Sequence, residues 1–153
     1  MRLIALITAP VLVLAACSPS PQTPEAPAID VSPALLGGVD LSRPIRALGN
    51  EPFWAVEITP QGLIYAGVDR PEQRADNPGP VLQGTTAVYA ATNGTGKALK
   101  VTLIATTCSD GMSDRTYPLT ARVEIDGETL MGCAASMAAI MGAGESGQVV
   151  EAN

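Results

Sequence analysis

The stretch Ala98-Leu99-Lys100-Val101-Thr102-Leu103-Ile104-Ala105-Thr106 alternates apolar and polar side chains with a period of two. Leu119-Thr120-Ala121-Arg122-Val123-Glu124-Ile125 repeats the pattern. That period is the signature of strands with one face in a core and the other in water. Leu99, Val101, Leu103 and Ala105 share one face of the first strand, with Lys100 and Thr102 on the other. Leu119, Ala121, Val123 and Ile125 do the same in the second, and Asp126-Gly127 is a hairpin turn leading into Thr129–Cys133.

Working outward, Trp54, Val56 and Ile58 alternate with Phe53, Ala55 and Glu57, and Thr59-Pro60-Gln61-Gly62 turns the chain into a return strand over 63–66. Residues 86–92 form another β-rich run before the Asn93-Gly94-Thr95-Gly96 turn. The Asn93-Gly94-Thr95 sequon is read as that turn rather than as a glycosylation site. Residues 70–80, with Pro71, Pro78, Pro80 and four charges, read as a long exposed loop. The fold class expected is all-β. A small antiparallel meander closes into a barrel or half-barrel of about six to eight strands, stapled by one disulfide. Residues 43–135 would hold this domain, and 136–153 would be a flexible or weakly helical tail.

The N-terminus carries a different message. Arg2 and the apolar run from Leu3 to Leu14 have the layout of an export leader, and the run is shorter than the roughly 20 apolar residues of a membrane span. It ends in Leu14-Ala15-Ala16-Cys17, which resembles the bacterial lipobox. Residues 1–16 are therefore expected to be a lipoprotein signal peptide and Cys17 the lipidated residue, tying the protein to the membrane. An ordinary secretory leader cleaved near Ala15 or Ala16 is the alternative. Ser18 in the next position favours the outer membrane, with the domain in the periplasm. Residues 17–42, with Pro19, Pro21, Pro24, Pro27 and Pro33, would be a disordered tether.

Composition removes several function classes. The 153 residues include 15 acidic and 9 basic side chains and no histidine. That excludes a Ser-His-Asp triad, a Cys-His dyad and an imidazole-ligated metal. A net charge of −6 argues against a nucleic-acid binder. No cofactor is called for. With Cys17 assigned to lipid, Cys108 and Cys133 remain as an even pair in an exported domain and are expected to be oxidised. A redox or metal-binding dithiol is the alternative, without a Cys-x-x-Cys motif or histidine to support it.

Gly49-Asn50-Glu51-Pro52-Phe53-Trp54 forms one distinctive segment, and Cys108-Ser109-Asp110-Gly111-Met112-Ser113-Asp114-Arg115-Thr116-Tyr117-Pro118, followed by Gly132-Cys133-Ala134, forms the other. Together they resemble an uncharacterised family of bacterial envelope lipoproteins or membrane proteins, over about residues 45–135. Some members carry a neighbouring domain similar to a heat-shock lipoprotein. The resemblance implies an envelope location and this kind of fold, and no activity.

Read physically, Pro52 holds Glu51 extended and sends the chain into a strand. Phe53 and Trp54 point to opposite faces, with Trp54 the better core candidate and Phe53 either covering a barrel end or binding a ligand. Asp110, Ser113, Asp114, Arg115 and Tyr117 form either a recognition loop or a self-organised one. In the second case Asp110-Gly111 turns, Ser113 or Asp114 caps a helical turn, and Arg115 pairs with Glu51 or Asp114. The functional expectation is a non-catalytic, periplasm-facing binding module for an unknown ligand or protein. Alternatives are an inhibitor of a lysozyme-like cell-wall hydrolase, suited by acidity, and a hydrolase using Glu51, Asp110 or Asp114.

Overall fold

Asp126 and Gly127 adopt φ of 51° and 81°, the left-handed pair that a two-residue hairpin turn with the right twist requires. Ile125 consequently pairs with Glu128, and the ladder runs back to Leu119 opposite Ala134. The computed structural model containing this hairpin describes residues 34–151. The expected signal peptide, the expected lipidation site Cys17 and the expected tether as far as residue 33 lie outside the described residues.

In chain order the strands are β1 (Leu35–Leu36), β2 (Val39–Asp40), β3 (Ile45–Asn50), β4 (Phe53–Thr59), β5 (Gly62–Gly67), β6 (Gln73–Ala75) and β7 (Val81–Gln83). They continue with β8 (Thr86–Thr92), β9 (Ala98–Ile104), β10 (Cys108–Ser109), β11 (Asp114–Tyr117), β12 (Leu119–Ile125), β13 (Glu128–Ser136) and β14 (Ser146–Gln148). Between the last two lies the helix α1 (Met137–Gly142).

Nine of these form one antiparallel sheet in the order β6-β5-β4-β3-β13-β12-β9-β8-β7. The sheet curls into a half-barrel, and its β6 edge returns to the end of β8 through a single bridge between Ala75 and Asn93. The all-β half-barrel is thus as expected, with more strands than the patterning supplied. The additions are β3, which the patterning did not single out, and β6 and β7, three residues each, in and just after the proline-rich stretch read as a loop. Strands as short as β6 and β7 carry too few residues to display a period.

The period-two residues face inward. Leu99, Val101, Leu103, Leu119, Ala121 and Val123 are fully buried. Across the sheet, Ile45 pairs with Ile58, Ala47 with Val56 and Gly49 with Trp54. A second, smaller core lies behind β13, where Cys133 and Ala135 pack with Tyr117, Ala139 and Val149. It is covered by a three-stranded sheet in the order β10-β11-β14, with β14 parallel to β11.

Both ends of the fold exceed the expected 43–135 window. Residues 35–40 form a tight hairpin rather than tether, and Leu36, Val39 and Leu41 bury themselves in the main core. At the other end β13 runs to Ser136, whose hydroxyl accepts the Ala139 N–H at 3.1 Å and starts α1. The chain then forms β14 and buries Val149 completely, so in the tail expected to be flexible or weakly helical a helix is present as α1 and the chain is folded at least as far as Val149.

Candidate functional site

The turn between β3 and β4 consists of Glu51 and a cis-linked Pro52, with Asn50 opposite Phe53. From that turn the Asn50 side chain donates to the Asp110 carbonyl at 2.7 Å. The disulfide Cys108–Cys133 joins β10 to β13 across 25 residues of sequence, with the Cα atoms 5.5 Å apart. These two ties bring both distinctive sequence segments to one place. Between them runs a groove of about 440 Å³ lined by residues 48–51 and 108–112, with Thr120, Met131 and Gly132 completing it. Met112 and Met131 are 70% and 55% exposed.

The loop wall is organised by Asp110. Its carboxylate accepts the Met112 N–H at 3.0 Å, the Ser113 N–H at 2.8 Å, the Ser113 hydroxyl at 2.7 Å and the Tyr117 hydroxyl at 3.3 Å. Burial alone would raise this carboxyl, but the donors from Ser113, Met112 and Tyr117 outweigh it and hold the group below the usual carboxylate range. Such a saturated, ionised group is a fixed acceptor rather than a proton donor.

The predicted site residues separate on inspection. Asp110 lines the groove and Ser113 supports it. Phe53 is 55% exposed on the outer face next to the β3–β4 turn. Trp54 is inside the half-barrel, 4% exposed, with its indole N–H unpartnered. Tyr117 belongs to the second core and reaches the loop through its hydroxyl alone. Asp114 starts β11 opposite Ser146, so the expected helical turn at 113–114 is a strand instead. Arg115 donates to the Gly144 carbonyl at 2.8 Å and pairs with neither Glu51 nor Asp114. Its partner sits in the C-terminal segment expected to be flexible or weakly helical.

Trp54 explains two glycines. A Cβ at Gly49 would lie 2.6 Å from indole Cε2, and one at Gly132 would lie 2.9 Å from Cζ2. The indole therefore crosses the inner faces of β3 and β13 where both strands lack side chains.

Sequence reasoning missed a second polar centre at the β12–β13 turn. Arg70, only 12% exposed at its side chain, binds the Asp69 and Glu128 carboxylates, and it donates to the Ile125 carbonyl at 3.2 Å. It also stacks 5.6 Å from the centroid of Tyr65, whose hydroxyl donates to Asp69 at 2.8 Å. Gln73 and Lys97 bind Asp126 in the same turn, at 2.6 and 3.0 Å. The partners of Arg70 in that turn are more than fifty positions away along the chain, so no local signal marks it. Grooves of about 430 and 460 Å³ flank β6 near this region, so size alone singles out no site. The convergence of the two distinctive segments does.

Compared with known proteins, the chain matches no family model, no curated protein and no solved structure. Among the described residues, no cluster of His, Cys, Asp and Glu could hold a metal ion, and no helix is long and apolar enough to cross a membrane.

Proposed function

We propose that the protein is a non-catalytic lipoprotein of the bacterial cell envelope, anchored through Cys17, whose half-barrel is a periplasm-facing binding module. The envelope location rests on the leader, the Leu14-Ala15-Ala16-Cys17 pattern and Ser18. The binding role rests on one observation, the convergence of the two distinctive segments on a groove with exposed methionines and a pre-organised loop. Methionine thioethers are polarisable and conformationally adaptable, which suits a contact surface. Loops held by a rigid scaffold are where binding residues concentrate.

A photoreactive residue in place of Met131 tests the binding role in envelope preparations. A discrete cross-linked species is expected from position 131 and none from position 141, which is exposed on α1 away from the groove. Equal labelling from both positions, or none from 131, counts against the module. The anchor is tested separately with a palmitate analogue, which should label wild type and leave Cys17→Ala unlabelled.

A further inference from the structure

One stretch of main chain in the groove has a strand partner on one side only. β10 is the terminal strand of the small sheet, paired with β11 alone, and the groove is lined by β10 and not by β11. Facing it, β13 is flanked by β12 on one side and by the β3 backbone on the other, where a Cβ on Gly132 would lie 2.8 Å from the Leu48 carbonyl carbon. Unpaired strand edges present N–H and C=O groups in register for another extended chain. Gly111 puts no side chain into the space beside it, and a Cβ there would meet nothing within 4 Å. The charged groups that line it are Glu51 and Asp110, both acidic, and among the described residues neither makes an ion pair.

We propose that the groove takes an extended polypeptide segment that adds its backbone to the β10 edge. An apolar side chain of that segment lies against Met112 and Met131, and a basic one reaches Glu51. This deepens the binding-module reading and rests on it. Edge addition supplies backbone hydrogen bonds, the methionines tolerate varied apolar side chains, and the acidic wall selects against acidic segments.

The test uses the full chain in mild detergent, isotope-labelled for amide NMR. It is titrated with a short capped peptide alternating Lys and Val, its Glu-Val counterpart, and a backbone N-methylated Lys-Val version. The Lys-Val peptide should shift the amides of Ser109, Gly111, Met131 and Gly132. Binding should weaken about fivefold in Glu51→Gln, as for one partly exposed ion pair, and about tenfold on N-methylation. Equal affinity for the Lys-Val and Glu-Val peptides, or no loss on N-methylation, overturns the proposal. Shifts of the same amides with protein concentration and no peptide assign the groove to a second copy and overturn it as well. If the peptides leave the groove untouched while position 131 still cross-links a discrete partner, the peptide inference falls and the binding module stands. If both fail, both fall.

Discussion

Gly132 shows how one absent methyl group fixes the packing of a whole face. Its Cβ would meet the Leu48 carbonyl carbon at 2.8 Å as well as the Trp54 ring, and backbone cannot swing aside as a side-chain tip can. Gly132→Ala should therefore cost about 2–3 kcal/mol. Gly94→Ala, with nothing within 4 Å of its Cβ, should stay within about 0.5 kcal/mol. Urea unfolding followed by the fluorescence of the single tryptophan distinguishes them. At Asp110 the sign follows from the depressed carboxyl. The stabilisation it gives the loop is present above its ordinary value of 3.8 and is lost as pH falls through the lower folded value. Hydrogen exchange should show the Met112 and Ser113 amides protected down to about that acidity in wild type, and unprotected at any pH in Asp110→Ala. The Asp-Gly turn was readable from the sequence because it is local. The Arg115 to Gly144 contact was not, because it depends on where the C-terminal segment returns.

At the scale of elements, two connections hold strands that hydrogen bonding alone would leave loose. Cys108–Cys133 fastens the short β10 to β13, and closing a loop with this 25-residue separation is worth about 3.5 kcal/mol in the chain-entropy account. The Cys108→Ala/Cys133→Ala double variant should lose roughly that much stability, read from the urea midpoint at constant slope. It should also release the groove wall. Arg70 does the equivalent work at the opposite turn, joining the segment after β5 to the β12–β13 hairpin. Arg70→Met should lower the urea midpoint, because it removes the cation shared by Asp69 and Glu128 and the donor to the Ile125 carbonyl, while Asp126 keeps Lys97. Arg70→Lys should recover little of this, since an ammonium cannot reproduce the guanidinium fork. The cysteine pairing was legible by elimination among three thiols. The arginine was not, because its proline-flanked neighbourhood reads as an exposed loop.

For the molecule as a whole, the half-barrel core is aliphatic, with Trp54, Tyr65 and Tyr89 set among its leucines, valines and isoleucines. Tyr65 and Tyr89 are fully buried, and burial pushes both hydroxyls up to about 12, helped at Tyr65 by the hydrogen bond to Asp69. Burial raises Tyr117 too, so all three tyrosines shift the same way. Their neutral forms favour the folded state below the ordinary value of 10, and that advantage disappears as pH rises through the folded values. Ultraviolet titration of native protein should show far less phenolate at pH 10 than the urea-unfolded chain, which is half ionised there, because Tyr65 and Tyr89 stay neutral. A normal native midpoint would mean that the half-barrel interior admits water to the rings.

The sequence by itself determined the strand class, the inward residues of β4, β9 and β12, the turn at Asp126-Gly127 and the disulfide partners. Each of these follows from side-chain alternation, from backbone angles confined to one or two residues, or from counting thiols. Tertiary structure alone decided that Leu36, Val39 and Val149 complete the cores, that β6 and β7 extend the sheet, and that Asn50 meets Asp110. These contacts join segments far apart in the chain, and their stabilisation exists only once the half-barrel has curled. The groove belongs to that second group. Its walls are separated by about sixty positions of sequence and become one surface only when β3, β10 and β13 are brought together.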